Sequence, residues 1–184
     1  MTASDLNDAR QLLAALQFAA EKHKQQRRKD AQATPYINHP ISVADVLARL
    51  GRVTNLVALQ AALLHDTLED TPTSATDLEQ RFGPEVRLLV QELSDDKTLP
   101  SQERKRLQIA HAPHLSALAK QIKIADKICN IGDISPAQPV DWSRARKRDY
   151  LDWAEAVVQG CRGCNEPLEH HFDLLLNERR KALA

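Results

Sequence analysis

The chain has 184 residues, enough for one full hydrophobic core, and its 25 Lys plus Arg balance 25 Asp plus Glu, so no net field favours nucleic acid or a membrane surface. The apolar runs are too short to span a bilayer, and Met1-Thr2-Ala3-Ser4-Asp5 lacks the basic-then-apolar pattern of a secretion signal. Three cysteines do not make a disulfide framework, and a cytoplasmic location is expected.

In chain order the sequence reads as helices throughout, with few glycines and no convincing period-two alternation. Ser4 is the expected cap of a helix reaching about residue 24, with Leu6, Ala9, Leu13, Leu16 and Ala20 at helical spacing. A polar, basic loop spans 25–34. Pro40 suits the first turn of a helix running to Leu50, which Gly51 stops. Thr54 is the expected cap of a helix over 54–70, apolar on nearly all sides and therefore central. Helices follow over about 74–82, 84–94, 101–111 and 116–134. A loop over 135–141 holds two prolines, and helices over about 141–160 and 166–180 finish the chain. No internal repeat or linker divides it, which predicts one all-α domain over 1–184.

The central helix ends in Leu63-Leu64-His65-Asp66-Thr67-Leu68-Glu69-Asp70. At helical spacing one imidazole and three carboxylates would share an arc of roughly 140°. Carboxylates crowded at a buried helix end repel one another, lose hydration and oppose the macrodipole. A divalent cation held by His65 and Asp66 answers that need. His39, in Tyr36-Ile37-Asn38-His39-Pro40, and Asp126, in an apolar helical stretch, are the further candidate ligands. Asp126 could instead pair with Lys123 or Lys127, although each lysine could turn its ammonium outward to solvent. Asp126 shares a face with Asn130 and Asp133, which suggests a lined cavity. Two histidines and two aspartates suit manganese, iron, zinc or another divalent metal.

The order His39, His65-Asp66, Asp126 resembles the HD-domain metal-dependent phosphohydrolases. Pro35-Tyr36-Ile37-Asn38-His39-Pro40, Ala61-Ala62-Leu63-Leu64-His65-Asp66-Thr67-Leu68-Glu69-Asp70, Arg81-Phe82-Gly83, Asp95-Asp96-Lys97 and Lys123-Ile124-Ala125-Asp126-Lys127-Ile128-Cys129-Asn130 narrow this further. They resemble the hydrolase domain of the RelA/SpoT homologues, and most closely its stand-alone small alarmone hydrolases, over about 18–165. The resemblance implies an all-α HD helical bundle that uses Mn2+ to remove the 3′-pyrophosphate of ppGpp and pppGpp, lowering alarmone in the stringent response. It implies a hydrolase only, since longer relatives would continue into a synthetase domain.

Carried over by position, His39, His65, Asp66 and Asp126 would hold the metal, and Glu69 and Asp70 would act on the attacking water. Arg28, Lys29, Tyr36, Asn130, Arg146 and Tyr150 would contact the nucleotide. Three departures stand out: Ala33 where many relatives have Gly, Ser101 where a close animal relative has lysine, which could weaken phosphate binding or shift it to Arg104, and Gly132 inside a helix. Two other readings are an HD phosphohydrolase for another nucleotide, such as a 2′-phosphatase for NADPH, and a module that binds alarmone without turnover. Cys161-Arg162-Gly163-Cys164 lacks a second cysteine pair and is expected to be inert.

Overall fold

A computed structural model describes residues 2–135, 137 and 141–184. Most of the expected proline loop over 135–141, including Pro136 and Pro139, lies outside the described residues. Among the described residues the regular structure is helical, with one isolated bridge between Arg27 and Pro35. No helix among them is long and apolar enough to cross a membrane.

Helix α1 (Ala3–Lys22) begins two residues earlier than Ser4 would have it. Thr2 and Asp5 form a reciprocal capping box there, satisfying two backbone donors that Ser4 alone would leave free. Helix α2 (Asn38–Asp45) starts ahead of Pro40 and runs into a π-helical turn, Val46–Leu50, before Gly51. Helix α3 (Leu56–Leu64) is capped by the Asn55 side chain rather than by Thr54, and it stops short of the expected Asp70. His65 and Asp66 form a turn, and a second helix, α4 (Thr67–Asp70), continues from it.

The break is stabilised by side chains that take over backbone acceptors. Thr67 Oγ1 donates to the Leu64 carbonyl at 2.6 Å, and His65 Nδ1 lies 2.8 Å from the Ala62 carbonyl. Carbonyls freed at a helix end need such donors when buried. The shared arc expected for an unbroken helix is therefore replaced by a corner that aims His65 and Asp66 separately.

The remaining helices are α5 (Ala75–Phe82), α6 (Pro84–Leu93), α7 (Ser101–His111), α8 (Ala117–Gly132), α9 (Arg144–Cys161) and α10 (Glu166–Ala182). Ser74, Ser116, Ser143 and Asn165 cap α5, α8, α9 and α10 through their side chains. Helix α9 thus starts later than Asp141, where Ser143 supplies the acceptor. Helix α3 packs on α1, α2, α6 and α8, as its all-round apolarity demands, and α8 packs on α2, α9 and α10. Leu47, Leu64, Ile122, Ile124, Leu151 and Phe172 are fully buried at their junctions, each contributing roughly 1.5–3 kcal/mol of apolar transfer energy. The end of α3, which leads into His65 and Asp66, and α8, which carries Asp126, are thereby fixed side by side.

Candidate metal and nucleotide site

Three buried side chains converge where α2, the corner after α3, and α8 meet. Ligand atoms of His39, His65 and Asp126 all lie within 4.8 Å of one another. His39 Nε2 is 3.0 Å from Asp126 Oδ1, and His65 Nε2 is 3.8 Å from the same oxygen. Asp66 Oδ2 lies 3.1 Å from His65 Nε2 and 3.9 Å from His39 Nε2, and it accepts a hydrogen bond from the Tyr36 hydroxyl at 2.6 Å. Because His65 Nδ1 is committed to the Ala62 carbonyl, Nε2 faces the cluster. That atom is buried without a hydrogen-bond partner, since Asp66 is close but poorly aligned. An orphaned imidazole nitrogen beside two carboxylates is the donor set a divalent ion requires, so the residues fit one.

Electrostatics point the same way. Burial opposes charge on both carboxylates, yet His65 and His39 hold Asp66 well below the usual carboxylate range, and Lys127 with the two imidazoles does the same for Asp126. Burial would strip the proton from His65, but Asp66 and Asp126 outweigh it and push His65 up to about 9. The two carboxylates thus favour positive charge at this point of the core.

Outer partners fix the carboxylates. Asp126 accepts from Lys127 Nζ at 2.9 Å and from Asn130 Nδ2 at 2.6 Å. Of the two alternatives for these lysines, Lys127 takes the pairing with Asp126 and neither turns outward: both are buried, and Lys123 Nζ donates to the Leu93 carbonyl at 3.1 Å. Each ammonium finds oxygen inside the protein, which removes the need to reach water.

Glu69 and Asp70 stand on α4, past the corner. Glu69 accepts from the Asp95 backbone N–H at 3.1 Å and lies 3.2 Å from Lys97 Nζ and 3.4 Å from Arg104 Nη1. Burial raises its pKa, with the Asp95 N–H and Lys97 pulling it back. Asp70 Oδ1 pairs with Lys97 Nζ at 2.5 Å. Arg104, to which phosphate binding could shift, lies beside Glu69 on this side of the site.

A cavity of about 250 Å³ is lined by Arg28, Lys29, Tyr36, Asn130, Trp142 and Tyr150, among others. It gathers five of the six expected nucleotide contacts. Arg28 pairs with Asp133, reaches Asn130 Oδ1 at 3.4 Å, and stands 5.6 Å from the Tyr36 ring centre. Arg146 is not among the lining residues; it is exposed, with its guanidinium 4.4 Å from the Trp142 ring centre. Trp142 in turn packs on Tyr150 at 5.3 Å between ring centres. The sequence reading missed Trp142. Its signal was an indole just ahead of the α9 cap, one of two in the chain.

Comparison with known proteins matches residues 15–152 to the HD domain family, a span holding every site residue expected from the sequence. A Xenopus tropicalis protein named guanosine-3′,5′-bis(diphosphate) 3′-pyrophosphohydrolase MESH1 is 54% identical over 167 residues, 91% of this chain and 93% of its own. The Homo sapiens protein of that name is 52% identical over 173 residues, covering 94% and 97%. A solved structure of a metazoan ortholog of SpoT, described as hydrolysing ppGpp and acting in starvation responses, superposes with a TM-score of 0.89 at 47% identity, covering 92% of this chain and 95% of that one.

Proposed function

The chain belongs to the HD domain family, and we propose from that membership and its site that it is a guanosine-3′,5′-bis(diphosphate) 3′-diphosphatase. It removes pyrophosphate from the 3′ oxygen of ppGpp and pppGpp, leaving GDP or GTP. The observation that carries this reading is the buried His39, His65 and Asp126 cluster beside a cavity walled by cations and aromatic rings. The likeness to named pyrophosphohydrolases supports the substrate.

His39, His65, Asp66 and Asp126 hold one divalent ion, which we take to be Mn2+. When bound, such an ion lowers the pKa of water, neutralises phosphate charge and polarises the P–O bond. The protein's own residues do the rest. Glu69, half-buried with its pKa raised, accepts a proton from the attacking water, and Asp70 helps orient that water. Lys97 and Arg104 hold Glu69 in place through ion pairs. Arg28 and Lys29 meet phosphate or base, Arg28 with a planar fork that suits both. Tyr36 and Tyr150 pack against ribose or base, Asn130 reaches the ribose, and Arg146 meets the outer phosphates. The whole chain, 1–184, acts as one phosphohydrolase domain. A cytoplasmic setting agrees with its three free cysteines.

The test is turnover of ppGpp by metal-stripped protein with manganese restored, beside Asp66→Ala. Pyrophosphate and GDP appear only with metal, and the variant loses more than about a hundredfold in rate. Intact ppGpp alongside release of the 2′-phosphate of NADPH would keep the metal site and replace the substrate. Nucleotide binding with neither reaction would make the protein a sensor.

A further inference from the structure

Two side chains that the mechanism does not use lie just beyond α1 and join the two halves of the site. His23 terminates α1 and is 1% exposed. Its Nδ1 lies 2.7 Å from Gln26 Oε1. Gln26 Nε2 donates to the Asp70 carbonyl at 2.6 Å, and the Gln26 carbonyl accepts from the Tyr36 backbone N–H at 3.1 Å. The His23 ring packs on the Tyr36 ring, with centres 5.0 Å apart, and Tyr36 in turn donates to Asp66.

The donor roles along this chain are forced. A carbonyl only accepts, so the Gln26 amide nitrogen must face Asp70 and its oxygen must face His23. His23 therefore carries its hydrogen on Nδ1. Its Nε2 is left buried with no partner. An unpartnered buried nitrogen costs folding energy that an apolar residue at position 23 would avoid. What the imidazole gains in exchange is the hold on Gln26. The Asp70 carbonyl, for its part, ends a helix of only four residues, where acceptors have no intrahelical donor. Gln26 supplies that donor from a different element.

We infer that His23 and Gln26 are positioning residues for hydrolysis: Gln26 clamps the end of α4 and so aims Glu69 and Asp70, while His23 fixes both Gln26 and the Tyr36 ring that orients Asp66. The inference rests on reading Glu69 and Asp70 as the groups that act on water.

The experiment compares Gln26→Met, His23→Leu and His23→Asn with the parent, manganese-loaded throughout. Asn keeps an N–H near the position of Nδ1, whereas Leu removes it. Loss of aim costs kcat about tenfold to a hundredfold in Gln26→Met and His23→Leu, with KM and thermal midpoint close to the parent. His23→Asn recovers most of that kcat. Amide hydrogen exchange over residues 67–70 needs no substrate, and it quickens in Gln26→Met if the clamp is real. A kcat within about twofold of the parent in both disruptive variants, or unchanged exchange over 67–70, overturns the positioning role. If the parent itself leaves ppGpp intact, the substrate reading fails, and exchange alone then decides the clamp: faster supports it, unchanged overturns it.

Discussion

Glu69 is pulled two ways, by burial toward the neutral acid and by Lys97 and the Asp95 N–H toward the carboxylate. A general base works only when unprotonated, so activity should fall as pH drops through its raised pKa. Replacing Lys97 by Met removes a cation that favours the charged form, which leaves Glu69 higher still. The acid limb of the kcat profile then moves to higher pH, with variant and parent converging on the alkaline side. A limb that stays in place would show that Glu69 is not the titrating base. Backbone strain offers a second residue-scale test. Ala33 holds φ +49° in the loop that carries Arg28 and Lys29, a left-handed conformation that costs an alanine about 1–2 kcal/mol. Ala33→Gly relieves this while giving the unfolded chain back roughly 0.4–1 kcal/mol of freedom. The balance predicts a thermal midpoint higher by about 2 °C; a lower midpoint would refute the strain. The departure from relatives was legible in the sequence, but its sign as strain needed the backbone angle.

Elements explain which parts of the site could be read in advance. His65-Asp66 and Glu69-Asp70 are adjacent in sequence, and their apolar surroundings already demanded a cation, so the motif was legible from one segment. The corner between α3 and α4 was not. It depends on Thr67 and His65 donating to carbonyls one turn back, in competition with an apolar pattern that reads as unbroken helix. The choice between two roles for Lys127, and the place of Trp142, were illegible for a similar reason. Whether a lysine reaches water or a carboxylate, and whether an indole meets a cavity, is settled by contacts between distant elements. Helix α9 gives a test at this scale. A Cβ at Gly160 would stand 2.8 Å from Ala112 Cβ and 3.0 Å from the Pro113 backbone nitrogen. Gly160→Ala should push α9 off the 3₁₀ turn at 112–114, costing roughly 1–3 kcal/mol. At Gly132, on the last turn of α8, the nearest atom is Leu175 Cδ2 at 4.0 Å, so alanine fits and stabilises by up to roughly 0.5–1 kcal/mol. Denaturant midpoints moving in opposite directions would bear out this packing, and equal midpoints would contradict it.

Across the whole molecule, the cluster draws ligands from three places that meet only in the folded chain: the start of α2, the corner after α3, and the middle of α8. The unfolded chain offers no such arrangement, so metal binding and folding must be linked. One ion bound to the native state at a free concentration one hundred times its Kd adds about 2.7 kcal/mol of stability. For a chain of this size that corresponds to a midpoint rise of about 5–10 °C. Manganese added to chelator-treated protein should produce this rise in a concentration-dependent way. His39→Ala should abolish it, because removing the α2 ligand disconnects one of the three elements. The readout needs no nucleotide, which separates the metal centre from the choice of substrate. A midpoint indifferent to manganese, iron and zinc alike would mean that the imidazoles and carboxylates are held by their own ion pairs. In that case the hydrolytic reading would lose its foundation, whatever the resemblance to other HD domains.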